Sequence, residues 1–354
     1  MFLTPHHVLY ATMFFSAFML TLLVYIAFAL IFKNRRDKEQ NRWLNKTNVL
    51  ITKTIFFDNE ETPEFHIPIN KRITELLTKP LFRQTLINEL VVSSKSLSGS
   101  SADNLALLYR QLGLEKDSLR NLKSLLWHKK AKAIQELAIM QQKDFSTELF
   151  KLTNHKNEYI RMEAQTSIVK FDGFEGLRFL DEITYPLSEW HQINLLKELS
   201  GLAAAGFKGI ESWLRSKNDS VIVFALKLCA SYHQFDQCDN IVECLKHPNA
   251  KVRLQAIKCL KEIYEDTTAL QLMRIYQSEP RTHQLAILHA LQEIGSPDST
   301  SFLENQLNSE DNQIKLAAAR ALYNCPDGDT MVAAHPTATK FPLNEIIQQI
   351  KMEK

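Results

Sequence analysis

The chain has 354 residues, of which 45% are hydrophobic, and its 42 Lys and Arg are nearly balanced by 40 Asp and Glu. Only nine glycines are present. Parallel α/β enzymes use glycine in phosphate-binding loops and tight turns, so this scarcity favours an all-helical fold. Residues 33–46 hold six basic and two acidic side chains, which leaves 36 basic against 38 acidic in the remainder. A body without basic excess excludes an ordinary nucleic-acid binder, and we expect no nucleic acid among the partners.

The first predicted element is an apolar helix at the amino terminus. Residues 8–32, VLYATMFFSAFMLTLLVYIAFALIF, contain no charged side chain, and about 20 apolar residues suffice to cross a membrane. A secretory signal peptide is the alternative, but such a peptide has a basic region before an apolar stretch of about 7–15 residues. Here the stretch is longer and no Lys or Arg precedes it. Residues 1–32 are therefore predicted to form a short external amino terminus and a transmembrane helix.

The charges beside this helix predict its orientation. Only His6 and His7 could add positive charge before it, whereas the six Lys and Arg of residues 33–46 follow it directly. The positive-inside rule then places the amino terminus outside and the rest of the chain in the cytoplasm. Five cysteines without regular spacing agree with a reducing compartment. We expect a single-pass protein of the cell (inner) membrane that contacts the lipid bilayer through residues 8–32; a signal peptide would instead make the body periplasmic.

A connecting region follows. Residues 33–70 are predicted to form a basic juxtamembrane segment and a linker. The β-branched run NVLITKTIFF at 48–57 is compatible with one short strand, and an acidic, proline-bearing stretch comes after it. Residues 71–97 show the pattern of amphipathic helices, which we expect to cap the following region and connect it to the membrane.

From residue 98 to residue 327 the sequence repeats with a spacing of 30 or 31 residues. Val252, Ala256, Leu260 and Ile263 are spaced as one face of a helix, and we call these four positions the first to fourth columns. The second to fourth columns hold 24 residues in eight units, and all are apolar; at a 45% background, chance would give this on the order of once in 10⁸. The first column consists of Ser98, Lys129, Ile160, His191, Val221, Val252, His283 and Ile314. The other three consist of Ala102, Ala106, Tyr109, Ala133, Leu137, Met140, Ala164, Ile168, Phe171, Leu195, Leu199, Leu202, Ala225, Cys229, Tyr232, Ala256, Leu260, Ile263, Ile287, Leu291, Ile294, Ala318, Leu322 and Cys325.

Each unit also contains a second predicted helix. Its apolar residues recur at the same spacing, and short polar links such as SKNDS, HPNA, SEPR and NSED separate the helices. Asn, Asp, Ser and Pro in these links supply helix caps and first-turn residues. The recurring residues of the second helices are Ile210, Ile241, Leu272 and Leu303, and then Leu214, Leu245, Tyr276 and Leu307.

The phrase HPNAKVRLQAIKCL at 247–260, with small residues where helices meet, resembles the HEAT-like repeat family, particularly its short bacterial form. Tetratricopeptide repeats are the alternative, since LYRQLGL at 108–114 has some of their character, but their 34-residue period is not sustained. The resemblance implies an all-α fold in which an N-terminal transmembrane helix precedes an α-solenoid of about eight helix-pair repeats at 98–327. Residues 328–354 are predicted to be a C-terminal capping segment. The arrangement resembles bacterial single-span membrane-anchored HEAT-repeat proteins.

No residue pattern predicts chemistry. Cys238, Cys244 and His247 are six and three residues apart, unlike the tight pairs of structural zinc sites, and Cys229 falls in a core column. Phosphate-binding, nucleophile-elbow and HExxH motifs are absent from the sequence. We therefore expect no catalytic residue, no cofactor and no metal ligand, and predict that the chain is not an enzyme.

A solenoid of helix pairs offers an extended surface that commonly binds another protein. We expect a non-enzymatic, membrane-tethered scaffold or adaptor with a protein partner at the membrane. The resemblance implies a membrane glycosyltransferase or a component of an envelope or exopolysaccharide system as that partner. The alternative is an enzyme accessory or lyase of the HEAT-like kind that acts on a bound ligand such as a tetrapyrrole. The helix phase predicts a partner-binding face on the second helices, formed by Lys208, Glu211, Arg215, Asp239, Glu243, Lys246, Gln271 and Arg274.

Overall fold

The structure is a computed structural model that describes residues 5–57, 65–202, 208–336 and 338–353. Every regular element in these residues is a helix, which confirms the all-α prediction. The acidic stretch predicted to be irregular falls largely at 58–64, outside the described residues. The chain forms two compact units, Met1–Leu149 and Phe150–Lys354.

The first unit packs its helices around one apolar cluster drawn from residues 43–140. Its elements are α1 (Pro5–Ile55), α2 (Lys71–Leu76), α3 (Pro80–Lys95), α4 (Ser100–Gln111), α5 (Glu115–Leu122), α6 (Trp127–Ile139) and a 3₁₀ turn at Lys143–Phe145, and α7 (Ser146–Phe150) crosses into the second unit.

The long helix α1 continues well beyond its apolar stretch. Its last turns pack against α3, where the rings of Trp43 and Phe82 meet edge to face at 5.8 Å. The hydroxyls of Thr47 and Thr54 donate to backbone carbonyls one turn earlier, at 2.8 and 2.9 Å. The strand predicted at 48–57 is therefore wrong. A helix accommodates the β-branched residues because the threonine hydroxyls bond to the preceding turn and the apolar side faces α3.

The second unit consists of helix pairs from the third repeat to the carboxyl end. Its α-helices are α8 (Glu158–Asp172), α9 (Glu189–Leu199), α10 (Ile210–Leu214), α11 (Asp219–Ser231), α12 (Cys238–Glu243), α13 (Ala250–Leu260), α14 (Thr268–Ile275), α15 (Arg281–Ile294), α16 (Thr300–Gln306), α17 (Asn312–Tyr323), α18 (Gly328–Ala334) and α19 (Leu343–Glu353). Its 3₁₀ helices are Gly173–Asp181, Phe235–Gln237, Cys244–Lys246, Tyr276–Ser278 and Pro297–Ser299.

The repeat columns are largely buried in both units. All sixteen residues of the second and third columns are buried, as are the eight recurring residues of the second helices. First helices of successive repeats pack side by side, α11 on α13, α13 on α15 and α15 on α17. In the fourth column Leu202 is 43% exposed. The α-solenoid prediction is confirmed, because residues 31 apart occupy equivalent core positions.

The link HPNA has a structural role. The amide of Asn249 donates to His247 Nδ1 at 3.1 Å, and the Asn249 side chain caps the first turn of α13. Arg253 Nη1 reaches back from that helix to the carbonyls of His247 and Pro248, at 2.9 and 3.0 Å. The Asn249 side chain satisfies an amide that the start of a helix leaves unpaired, and Arg253 holds two carbonyls of the link, so the residues that suggested chemistry in the sequence fix a turn.

The link before α8 has the same construction. The amide of Asn157 donates to His155 Nδ1 at 3.0 Å, and the Asn157 side chain accepts from the amide of Ile160. Arg161 Nη1 donates to the His155 carbonyl at 2.8 Å. A His-x-Asn link with an arginine four residues after the asparagine therefore recurs in two repeats.

The carboxyl end closes the array with an amphipathic helix. α19 packs against α17, and Arg320 Nη2 donates to Glu353 Oε1 at 2.7 Å. The bonds from Gln349 and Arg320 lower the pKa of Glu353. The buried face of α19 consists of Leu343, Ile346, Ile347 and Ile350.

Candidate partner-binding surface

The predicted partner-binding residues of the second helices lie at the surface. Seven of the eight are exposed, and Gln271 is half-buried because α14 packs between α15 and the Pro297–Ser299 turn. Several are paired among themselves, with Arg215 to Glu211 at 3.0 Å and Lys246 to Glu243 at 3.1 Å. Their role in binding a partner stays a prediction.

A groove lies on a different surface. A groove of about 1280 Å³ runs along the first helices α9, α11 and α13 of three consecutive repeats. Gln192 of α9, Val223 and Lys227 of α11, and Leu254 and Lys258 of α13 line it. None of the eight predicted residues does, so reasoning from the sequence missed this surface.

Polar bonds fix the floor of the groove between α9 and α11. Lys227 Nζ donates to Gln192 Oε1 at 2.9 Å, and Gln192 Nε2 donates to the Ser220 carbonyl at 3.3 Å. Burial lowers the pKa of Lys227; Glu189 opposes that shift and Lys258 adds to it. Lys227 and Lys258 line the same groove, so the pKa of Lys227 responds to the negative charge of Glu189 as well as to the positive charge of Lys258.

Two carboxylates of the groove wall are held by hydrogen bonds. Trp213 Nε1 donates to Asp181 Oδ1 at 2.7 Å, and Asn249 Nδ2 donates to Asp219 Oδ2 at 2.6 Å. Asp181 ends the 3₁₀ helix before α9 and Asp219 begins α11, whereas Lys227 and Lys258 lie farther along their helices. The groove therefore combines basic side chains with acidic ones, and two of the acids are fixed by hydrogen bonds.

Two further columns follow the first helices beyond the groove. In α9, α11, α13, α15 and α17 a half-buried or exposed apolar residue is followed four positions later by a basic one, so the two share a face, whereas in α8 Met162 is followed by Thr166. The sequence carries this signal at the repeat spacing, but the four columns compared above do not include these positions. The apolar column consists of Met162, Ile193, Val223, Leu254, Leu285 and Leu316. The basic column consists of Lys197, Lys227, Lys258, His289 and Arg320.

His191, in the first column, packs between α8 and α9 at 2% exposure. Its Nε2 donates to Gln165 Oε1 at 2.8 Å, and Gln165 Nε2 donates to the Thr153 carbonyl at 2.7 Å. Burial, aided by the charge of Arg161, lowers the pKa of His191 to about 4. This imidazole is neutral near pH 7 and joins two repeats.

His283, also in the first column, has a charged neighbour instead. Glu279 Oε2 lies 2.5 Å from His283 Nδ1, and Glu279 Oε1 accepts from Arg253 Nε at 2.6 Å. Glu279 and His283 are both buried, at 7% and 4% exposure. The three side chains connect α13 to α15, and each is engaged in that contact.

The five cysteines are free and buried. Burial raises the pKa of Cys229 to about 12 and that of Cys244 to about 11, and it also raises the pKa values of Cys238, Cys259 and Cys325. Protonated, enclosed thiols are poor nucleophiles and poor metal ligands. In the described part of the chain, no group of three or more His, Cys, Asp or Glu converges on a position for a metal ion.

Helix α1 contains one stretch, Thr12–Asn34, that is long and apolar enough to cross a membrane, with a mean hydropathy of 2.5. Its described side chains are exposed, among them Phe14, Leu23 and Phe28 at 67%, 63% and 65%. No described residue of the first unit buries these apolar side chains.

Comparison with known proteins places the repeats in a family. Residues 238–323, from the start of α12 to the end of α17, match the model of HEAT repeats. The uncharacterized phycocyanin operon protein Z of Pseudanabaena tenuis is 31% identical over 101 residues, which are 28% of this chain and 46% of that protein. The chain thus matches less than half the length of this curated relative.

Two solved structures are similar at low identity. An engineered protein is 16% identical with a TM-score of 0.40, covering 80% of this chain and 87% of its own. The complex of CpcE and CpcF of phycocyanin lyase from Nostoc sp. PCC7120 is 12% identical with a TM-score of 0.27, covering 83% and 99%. The match to HEAT repeats covers helices α12 to α17. The columns of residues that recur at a spacing of 30 or 31 continue on the amino-terminal side of this segment. The chain is therefore a HEAT-like repeat protein.

Proposed function

We propose that this protein is a non-enzymatic scaffold or adaptor that binds a partner protein through its HEAT-like repeats. The observation that carries the proposal is the groove along α9, α11 and α13, in which three repeats contribute apolar and basic side chains to one surface. A concave surface shared by several repeats suits an extended partner segment. The buried histidines and cysteines contribute to packing and leave recognition to the groove.

The second part of the proposal is a membrane anchor. The Thr12–Asn34 stretch supports a single span in the cell (inner) membrane, and the basic residues at 33–46 support a cytoplasmic body with the amino terminus outside. A green fluorescent protein fused after Lys354 should fluoresce, whereas alkaline phosphatase at the same position should be inactive. Active phosphatase would reverse the proposed orientation.

The partner in this proposal is a protein at the same membrane. The resemblance to bacterial single-span HEAT-repeat proteins favours a membrane glycosyltransferase or another component of an envelope or exopolysaccharide system. Such a partner would meet the scaffold on the cytoplasmic side.

Photocrosslinking in native membranes tests the scaffold and compares its two surfaces. A photoreactive amino acid is placed at Val223 in the groove or at Asp239 on the second-helix face, and adducts are identified by mass spectrometry. A photoreactive residue at exposed Glu310, in a link, is the matched control. We expect one discrete protein adduct at Val223 and none at Glu310. Absence of adducts at both Val223 and Asp239 would contradict the scaffold.

The second candidate is a lyase or enzyme accessory acting on a bound ligand. It is supported by the 31% identity to a protein named for the phycocyanin operon. The full chain purified in detergent would then carry a visible absorption band that persists through gel filtration. A colourless protein with a crosslinked partner favours the scaffold.

A further inference from the structure

We infer that the groove receives an acidic amphipathic helix of the partner protein, with its apolar side on the apolar column and its carboxylates on the basic column. This inference rests on the proposed scaffold function and specifies the chemistry of its partner. The contact region is centred on Val223, Lys227, Leu254 and Lys258.

Lys227 and Lys258 form no close ion pair within the fold. Among the described residues no carboxylate lies within 4 Å of either ammonium group, in contrast to Arg215 and Lys246 on the second helices, and Glu189 acts on Lys227 only from a longer distance. Lys227 and Lys258 repel each other, and Lys227 is half-buried. A carboxylate placed between them relieves this repulsion, and partial burial strengthens the attraction.

The carboxyl end of the chain shows such a contact. Arg320 is the last member of the basic column, and it donates to Glu353 of α19 at 2.7 Å. α19 is itself an amphipathic helix that buries leucine and isoleucine in the core of the second unit. At Arg320 the basic column therefore donates to a carboxylate of a packed amphipathic helix of this chain.

Repeat geometry sets the spacing that the partner must match. Helices that pack side by side have axes about 8–10 Å apart, so successive basic positions are separated by a similar distance. A helix rises about 1.5 Å per residue, so carboxylates about seven residues apart reach consecutive positions. Apolar residues three and four positions apart on the adjoining face meet the apolar column.

Nucleic acid fits the groove less well than an acidic helix does. A phosphate backbone carries uniform negative charge, and Asp181, Glu189 and Asp219 line the same groove and repel it. The apolar column offers a phosphate chain no complementary contact. An amphipathic helix instead carries a few carboxylates on one side, where Lys227 and Lys258 can meet them, and places apolar residues beside them.

The test uses the full chain in lipid nanodiscs and a fluorescein-labelled helical peptide of about 21 residues. The peptide carries leucines at three- and four-residue spacing and glutamates seven residues apart; the matched peptide has lysine in place of each glutamate. By fluorescence anisotropy we expect the glutamate peptide to bind about tenfold more tightly than the lysine peptide. Salt raised from about 50 to about 300 mM should weaken that binding.

Charge reversal separates recognition from folding. Lys227→Glu combined with Lys258→Glu should weaken the glutamate peptide about tenfold and strengthen the lysine peptide, a reversal that an unfolded protein cannot produce. Lys340→Glu, at an exposed lysine between α18 and α19 that does not line the groove, is the matched control and should leave both affinities unchanged. Equal binding of the two peptides, or no effect of the double reversal, overturns the inference. Complete displacement of the glutamate peptide by an equimolar uridine oligonucleotide overturns it as well.

The photocrosslinking result keeps this inference distinct from the scaffold function. If a partner adduct forms at Asp239 while the glutamate peptide fails to bind, the scaffold stands and the groove assignment is wrong. If the peptide binds but no partner adduct forms at either surface, the scaffold fails although the groove can receive an acidic helix.

Discussion

Two junctions between repeats of the second unit contain the same residue types, an arginine and a buried histidine. They differ in charge, because the histidine contacts a neutral amide at one junction and a buried carboxylate at the other. Arg161 and Arg253 each secure the His-x-Asn link before their helix, and each lies thirty residues before a buried histidine of the next repeat. At the first junction His191 donates to the neutral amide of Gln165, and Arg161 stacks on the ring of Tyr185 at 4.4 Å. The second junction instead contains a buried carboxylate.

At that second junction Glu279 accepts from Arg253 and contacts His283 at 2.5 Å. The repeat spacing thus determines which positions are buried. The adjacent segment determines which hydrogen-bond partner a polar residue finds at such a position. Replacing one member at a time should therefore have unequal effects at the two junctions.

The largest expected effect is that of Arg253→Ala. Glu279 has 5% of its side chain exposed, and losing its arginine leaves a buried carboxylate with one partner fewer. Breaking a buried ion pair in this way costs on the order of 3 kcal/mol. Denaturant unfolding of the full chain in detergent, followed by circular dichroism, measures the change.

Arg161→Ala is the matched control for that substitution. It removes bonds to backbone carbonyls and the contact with Tyr185 but leaves no carboxylate unpaired. We expect it to cost roughly half as much or less. Equal losses for the two alanine variants would show that the junctions do not differ electrostatically.

Acidification should affect the first junction through His191. Its folded pKa of about 4 lies below the ordinary value of 6.5, so the unfolded chain binds the proton more tightly. The contribution of His191 is fully present above pH 6.5 and is lost as the pH falls toward 4, by up to about 3 kcal/mol. His191→Gln should flatten the dependence of unfolding free energy on pH between 6.5 and 4. An unchanged slope in this variant would mean that other groups cause it.

The capping asparagines should behave alike at both junctions. Asn157→Ala and Asn249→Ala each remove a helix cap, at a cost of about 1 kcal/mol. Asn249 also donates to Asp219, so its substitution should be slightly the more costly. Thermal unfolding monitored by circular dichroism compares the two. A negligible effect at Asn157 combined with a large one at Asn249 would assign the stability to the Asp219 bond and not to the caps.

Periodicity predicted the array because burial on one helix face recurs whenever the same packing recurs. Ala256 and Leu260 could be placed in the core without a structure for this reason, and both are fully buried. The run at 48–57 was predicted to belong to a linker compatible with one short strand because β-branched residues favour strands on average. Burial of Leu50 and Ile51 in the apolar cluster of the first unit, with the backward bond of Thr54, outweighed that preference.

The groove was not predictable by the same reasoning. On the outer side of the first helices, apolar residues such as Leu254 are followed one turn later by basic residues such as Lys258. Taken singly, each has the character of an ordinary surface residue beside the core. The volume of the groove depends on how α9, α11 and α13 pack, and long-range contacts set that packing. The second-helix face was predicted from helix phase alone, which identifies exposed residues but not where a cavity forms.

The smallest expected effect concerns Tyr185, which belongs to the first junction only. Its ring stacks against the Arg161 guanidinium, and burial already lowers the pKa of that arginine. Tyr185→Ala should cost about 0.5–1 kcal/mol because the cation–π contact and the cover over Arg161 are both lost. Tyr185→Phe retains an aromatic face and should lie close to wild type in the same denaturant experiment. If phenylalanine proved as costly as alanine, the tyrosine hydroxyl and not the ring would hold Arg161, and the two junctions would both depend on polar contacts to their arginines.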